Sequence, residues 1–227
     1  MHEEIRRAYQ MLGKEANAYD GMITCSTRFG KTVCRLVWDM DKGDNDRYLQ
    51  LALAGIPEDF SGKLLEVPVG TGVLTIPVYG TLKNADVSCL DYSTEMMATA
   101  QKRARLFKLQ NVRFLRGDVG ALPFDDSSFD IVLSLNGFHA FPDKDAAYRE
   151  TFRVLKSGGV FCGCFYIRGE TSRTDWWNRH FYRPKGFFTP PFETAESLKA
   201  RLEAMYASVT LNTVKSIASF CCRRGDS

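Results

Sequence analysis

The stretch Lys63-Leu64-Leu65-Glu66-Val67-Pro68-Val69-Gly70-Thr71-Gly72 decides the fold of this chain. Leu64, Leu65, Val67 and Val69 make a near-continuous apolar run, the pattern of a strand buried on both faces of a parallel sheet. Gly70 and Gly72 then permit a turn that L-residues resist and let a ligand approach the main chain. A helix predicted from about Gly72 to Gly80, shortened or bent by Pro77, would point free N–H groups at whatever lies over the turn. One acid, Glu66, stands at the strand end just before the loop.

Downstream of this stretch, strands and helices alternate, which predicts an α/β fold with a parallel, doubly wound sheet. Residues 86–91 read as the second strand, and Ser93 caps a helix with Met96, Met97, Ala100 and Ala104 on its apolar face. Val112, Phe114 and Leu115 mark a third strand ending at Gly117-Asp118. Asp130 to Leu135 mark a fourth, with Asn136-Gly137-Phe138-His139 just past its end. A helix from Asp143 or Lys144 to Leu155 closes at a Ser157-Gly158-Gly159 turn before a fifth strand, 160–167. Residues 168–191 read as irregular, basic and aromatic. A helix within 192–206 and a hairpin of strands 207–212 and 215–223, turning near Leu211-Asn212-Thr213, complete the chain.

Upstream, residues 1–60 read as helical. Ile5, Tyr9, Met11 and Leu12 give a weak apolar face, Tyr19-Asp20-Gly21 breaks the pattern, and Thr32 to Met40 form a second run. Asp46 is a candidate cap for a helix that stops at Gly55-Ile56-Pro57. This section is read as an N-terminal helical cap within the same domain, either over the ligand edge of the sheet or as packing away from it. Residues 61–227 are read as the core and 168–192 as an insertion on the side of the second substrate.

The 227 residues suit one such domain. A net charge of +3 and 44% hydrophobic residues are those of an ordinary soluble protein and make no case for a nucleic-acid partner. No apolar run reaches the roughly 18 residues of a membrane span. Met1 to Arg7 carry acids and no apolar core, which reads against a secretory or transit leader, so a cytoplasmic location is expected. The seven cysteines show no metal-ligand spacing, and no metal is expected. Cys89, Cys162, Cys164, Cys221 and Cys222 fall in predicted strands and read as reduced core residues. Nothing in the sequence sets an oligomeric state.

Ligands of open parallel sheets bind beyond the carboxyl ends of the strands. Acids stand at three of these ends, Glu66, Asp91 and Asp118. They would repel a pyrophosphate but suit an ammonium, a sulfonium, ribose hydroxyls and an adenine amine. Asp91 lies about 20 residues past the glycine turn, where a carboxylate can accept from ribose hydroxyls. Thr75 occupies the position of the third glycine in the dinucleotide fingerprint, which argues against that ligand class. The combination points to a cationic adenosine ligand, S-adenosylmethionine.

With these residues in view, the sequence resembles the class I S-adenosylmethionine-dependent methyltransferases, over about residues 15–167. Glu66-Val67-Pro68-Val69-Gly70-Thr71-Gly72 matches the family's first motif, with Pro68 in place of its first glycine. Leu90–Met97, Gly117–Asp130 and Ala146–Gly159 match the later motifs. With Tyr19-Asp20 and Arg28–Gly30, they look most like the ubiquinone/menaquinone-biosynthesis type. The resemblance implies a Rossmann-like, seven-stranded, mostly parallel sheet of order 3-2-1-4-5-7-6 with the seventh strand antiparallel. It implies Glu66, Pro68, Gly70 and Gly72 around the methionine moiety, Asp91 on ribose with Tyr92 and Met96 beside it, and Asp118 and Val119 at adenine. Ser134 to Asn136 would lie near the methionine end.

Methyl transfer from a sulfonium is an in-line displacement, so positioning is the main requirement and a base is needed only when the acceptor must lose a proton. His139 is the best placed base or acceptor contact. The resemblance puts the acceptor beside residues 168–192, where Trp176, Trp177 and His180 are interleaved with arginines, and Tyr19 and Asn136 complete the candidate substrate wall. Thr189-Pro190-Pro191-Phe192 resembles a motif of base-amine methyltransferases but stands in the wrong place for it. A small-molecule acceptor is therefore expected. An RNA or protein acceptor, or a non-catalytic S-adenosylmethionine-binding role, is the alternative.

Overall fold

The computed structural model describes residues 18–226. The weak apolar face expected around Ile5 to Leu12 lies outside them. Three helices come first: α1 (Ala18–Ile23), α2 (Arg28–Val37) and α3 (Lys42–Leu53). The core follows as β1 (Gly62–Glu66), α4 (Ile76–Tyr79), β2 (Ala85–Asp91), α5 (Thr94–Leu106), β3 (Val112–Arg116), β4 (Phe129–Leu135), α6 (Lys144–Val154) and β5 (Leu155–Tyr166). After it come α7 (Ser172–Trp177), a π-helical turn (Asn178–Tyr182), α8 (Ala195–Met205), β6 (Ser208–Val214) and β7 (Ile217–Arg223).

The seven strands form one sheet in the order β3-β2-β1-β4-β5-β7-β6. The first five are parallel to their neighbours, and β7 runs antiparallel to β5 and β6, as expected from the sequence. Period-two alternation sends neighbouring residues of one strand to opposite faces. Leu64 thus joins Val87, Ile131 and Leu133 in a core under α2 to α5, while Leu65 joins Leu90, Val132 and Phe161 in a core under α6 and α8. Both leucines are fully buried, each contributing about 1.5–3 kcal/mol by removal from water. This double burial is why β1 lacks a polar face, and it holds the glycine loop at the centre of the sheet's carboxyl edge.

Several local expectations are corrected. Residues 19–21 lie inside α1 instead of breaking a helix. The cap of α3 is Asp41, whose side chain accepts from the Asp44 N–H in a reciprocal capping box, so the helix starts before Asp46. The helix after the glycine loop is a single turn starting at Ile76, because Pro77 fits only the first positions of a helix. The loop therefore carries no long helix N-terminus. The Ser157-Gly158-Gly159 segment falls within β5 but bulges out of its pairing with β4, between the Phe129–Leu155 and Ile131–Val160 pairs. The terminal hairpin turns at Lys215-Ser216, with Leu211 to Thr213 still paired in β6. Residues 172–182, expected to be irregular, are helical.

The N-terminal helices divide between the two roles weighed for them. Helix α3 packs on the sheet through β5 and β7, and Tyr48 and Ala52 are buried there. Helix α1 instead reaches the carboxyl edge. It meets α2 so closely that a Cβ on Gly30 would lie 1.9 Å from the Gly21 carbonyl oxygen. A disulfide between Cys25 and Cys34 ties the α1–α2 turn to α2, a pairing with no signal in the spacing of the cysteines. The five strand cysteines are free, and only Cys221 is less than fully buried.

Candidate active site

A cleft opens over the glycine loop. Its walls are the loop from Pro68 to Thr75, Glu66 on the floor, Leu135 and Asn136 from the end of β4, and Tyr19 and Ile23 from α1. Five of the residues chosen from the sequence as cofactor contacts (Glu66, Pro68, Gly70, Gly72 and Asn136) thus meet in one cavity. Tyr19, expected on the substrate side, joins them. Gly70 and Gly72 both have positive φ, +56° and +66°, which glycine adopts without strain.

Glu66 is buried among weak donors. Its Oε2 accepts from the Tyr79 hydroxyl at 2.8 Å and the Cys89 thiol at 3.7 Å. No cation offsets its desolvation, and burial pushes its pKa up to about 8. At neutral pH this acid is largely protonated. An ammonium brought to it would favour the ionised form.

Asp91 anchors the loop from the neighbouring strand. Oδ2 accepts from the Gly70 N–H at 2.7 Å and Oδ1 from the Ser93 N–H at 2.8 Å. Each oxygen keeps a further lone pair for a ligand hydroxyl. Tyr92 is exposed, with the Arg116 guanidinium 5.7 Å over its ring, and Met96 is half-buried at the first turn of α5. Asp118 is exposed and accepts from the Gly120 N–H at 2.8 Å, while Val119 is buried.

Pro68 is accommodated by a glycine elsewhere. A Cβ on Gly137 would lie 2.4 Å from Pro68 Cδ and 2.7 Å from Phe141 Cζ. The ring of Pro68 therefore occupies space that only glycine at 137 leaves free. Beside it, the buried Ser134 hydroxyl has no partner among the described residues. Asn136 holds φ +54° and donates its N–H to the Cys164 carbonyl at 2.7 Å, which fixes the turn at the cleft's edge.

His139 does not line the cleft. Its Nδ1 accepts from the Tyr166 N–H at 3.2 Å, and its ring packs 4.0 Å from Phe188. Burial, then the nearby Lys144 charge, pulls its pKa down to about 3. It is neutral at physiological pH, with only Nε2 left for an acceptor. Phe188 also stacks on Tyr182 and contacts Trp38 and Tyr166, so the segment after β5 is pinned to the cap by an aromatic box. Trp176 and His180 stack on each other at the surface, and Trp177 packs edge-on to Trp176. None of these three lines the cleft.

One set of residues escaped the sequence reading. Buried Arg103 of α5 pairs with buried Asp20 of α1 and donates to the Thr71 carbonyl. The Thr71 hydroxyl donates to Asp20 Oδ1 at 2.7 Å. Cap, glycine loop and α5 are thereby joined by one buried charge pair. The signal available was a basic residue on the small-residue face of α5, between Ala100 and Ala104, where no solvent awaits it.

The comparisons with known proteins bear on this arrangement. Residues 64–159, from β1 through the start of β5, match a family model described as a methyltransferase domain. The match ends at the Gly158-Gly159 pair and leaves the N-terminal helices and the segment after β5 outside it. Over 113 residues the chain is 37% identical to a demethylmenaquinone methyltransferase of Thermus thermophilus, half of this chain and 49% of that protein. It is 32% identical over 119 residues to a chloroplastic 2-methyl-6-phytyl-1,4-hydroquinone methyltransferase of rice, 52% of this chain and 34% of that one. The chain thus spans half or less of the curated relatives it matches. A Thermotoga maritima structure described as a possible histamine N-methyltransferase superposes with a TM-score of 0.65 at 19% identity, covering 96% of this chain and 99% of its own. It shares the fold. The methyltransferase domain as matched excludes Tyr19 and Asp20, so two residues of the cleft and its clamp lie outside it.

Proposed function

We propose that the chain transfers the methyl group of S-adenosylmethionine to a small, largely apolar acceptor. The observation that carries this is the cleft itself: a buried acid, a glycine loop held by a second acid, and a carboxamide converge on one cavity. This donor and acceptor set fits the group. Glu66, Gly70, Gly72 and Asn136 would hold the ammonium and carboxylate end, Asp91 the ribose, and Val119 and Asp118 the adenine, with Tyr92 and Met96 beside the sugar. The bound group supplies an electrophilic methyl on a sulfonium.

The chain's own task is orientation and exclusion of water. Asn136, at the cleft's edge, would face the methionine end, with the buried Ser134 hydroxyl behind it. Tyr19 forms the opposite wall, its phenol pKa raised by burial and by the Asp20 and Asp91 carboxylates, so it acts as a neutral donor. The aromatic box around Phe188 and His139 backs the acceptor side, with Trp176, Trp177 and His180 farther out. For an acceptor that arrives already deprotonated, as a phenolate oxygen or its ring carbon, the sulfonium charge and the anion's would cancel as the C–S bond breaks and the new bond forms, with little solvent reorganisation. Relatives named for quinol and lipid substrates support an acceptor of that class.

Titration calorimetry with S-adenosylmethionine and S-adenosylhomocysteine tests the reading. Saturable heat is expected, and Asp91→Ala weakens it at least about tenfold by removing ribose and loop contacts together. Labelled methyl transfer to phenols and hydroquinones is expected; absence of binding by the folded wild-type chain refutes the proposal.

A further inference from the structure

Five of the large apolar side chains left in water stand on two segments that meet one another. Phe29 and Leu36 on α2, and Trp176, Phe181 and Phe187 after β5, are all exposed. Phe29 and Leu36 are two turns apart, on one stripe of α2 about 10 Å long. Gly30, Cys34 and Val37 form the buried side of that helix. The two segments join where the Thr174 hydroxyl donates to the Val37 carbonyl at 2.8 Å and Arg173 donates to the Arg35 carbonyl at 3.2 Å.

Charge on these segments has one sign. Residues 28–37 hold Arg28, Lys31 and Arg35 and no acid; residues 172–187 hold three arginines and Lys185 against one acid, Asp175. Asp175 is turned inward, accepting from the Tyr166 hydroxyl at 2.7 Å and the Gly169 N–H at 2.9 Å. Seven cations against one acid leave a surplus of six, while the whole chain carries only +3, so everything else is net negative. Arg28, Lys31, Arg35, Arg179 and Arg183 make no ion pair among the described residues. The Lys185 ammonium rests 4.0 Å from the centre of the Phe181 ring.

We propose that this face docks on an anionic lipid bilayer. Tryptophan and phenylalanine rings settle at the headgroup level, and arginines and lysines bind lipid phosphates there. The acidic remainder of the molecule orients the basic face toward the membrane. Attachment is peripheral: no helix among the described residues is long and apolar enough to cross a membrane. Tyr19, on the helix preceding α2, lines the cleft, so an acceptor with a hydrocarbon tail would reach it from the bilayer. That last step rests on the methyl-transfer reading; the docking does not.

Co-sedimentation of the full chain with phosphatidylcholine vesicles, with and without phosphatidylglycerol, tests the docking without reference to activity. Binding is expected only with the anionic lipid and is lost in high salt. Arg179→Ala/Arg183→Ala lowers the partition coefficient roughly 30-fold. Phe29→Ala/Leu36→Ala lowers it about tenfold. Both variants keep the wild-type melting temperature within a few degrees. Absence of vesicle binding by the wild type overturns the proposal, as does unchanged partition of both folded variants. A dimer in light scattering that Leu36→Glu dissolves would assign the face to a second copy instead.

Discussion

Arg103→Met removes the cation from a pair sealed between α1, α5 and the glycine loop. The two side chains are 6% and 1% exposed, so solvent screening offers no discount. Breaking one side of a buried pair leaves the other charge uncompensated, at a cost of about 3–5 kcal/mol. The lost bond to the Thr71 carbonyl adds about 1 kcal/mol. For a domain of this size, about 4 kcal/mol corresponds to a fall in melting temperature on the order of 8–16 °C. Asp20→Asn in the same chain removes the carboxylate charge, and the double variant should recover roughly half of the loss. Thr71 bonds to both members of the pair, so S-adenosylmethionine affinity should fall with stability and return with the double variant. Urea denaturation and calorimetry on all three variants make the measurement. A loss below about 1 kcal/mol for Arg103→Met, or a double variant no more stable than the single one, would refute the clamp.

Two further outcomes follow from the cleft. Glu66 has its pKa raised from the ordinary 4.5 to about 8, so the folded state binds its proton more tightly than the unfolded chain. The stability it contributes is complete below pH 4.5 and is lost as pH rises toward 8, on the order of a few kcal/mol. Glu66→Gln should flatten that slope in urea denaturation between pH 5 and 8, and an unchanged slope would assign it to other groups. Gly137→Ala places a methyl group against Pro68 and Phe141 and should cost about 2 kcal/mol. Pro68→Gly should restore most of that in thermal melts, whereas a neutral Gly137→Ala would show that the two positions are uncoupled.

The sheet was legible because its evidence is local and repeated. Leu64 and Leu65 have to be buried on opposite faces, and each strand end is punctuated by glycine or an acid. The cleft was legible for the same reason: Glu66, Gly70, Gly72 and Asp91 lie within the motif-bearing core, and three of these four line the cleft while Asp91 ties down its loop. What escaped depends on long-range placement. Nothing near Arg103 says that it will meet Asp20, and nothing near Cys25 says that Cys34 is within bonding reach. Trp176 and Trp177 do not line the cleft: both sit at the end of α7, where Trp176 is exposed and stacks on His180 while Trp177 packs against the core, a division that no sequence pattern reveals. His139 follows β4, as the sequence implied, but it does not line the cleft, and its ring orientation is set by the Tyr166 amide, which no sequence pattern reveals.

The clamp through Asp20 also bears on how this chain can be recombined with its relatives. Positions 71 and 103 belong to the region that matches the methyltransferase domain, whereas position 20 does not. A hybrid that grafts residues 64–159 onto a foreign N-terminal segment would inherit a buried guanidinium with no counter-ion. The unit of exchange is therefore longer than the matched domain. Grafts that begin before residue 18 should yield folded hybrids more often than grafts that begin at residue 60.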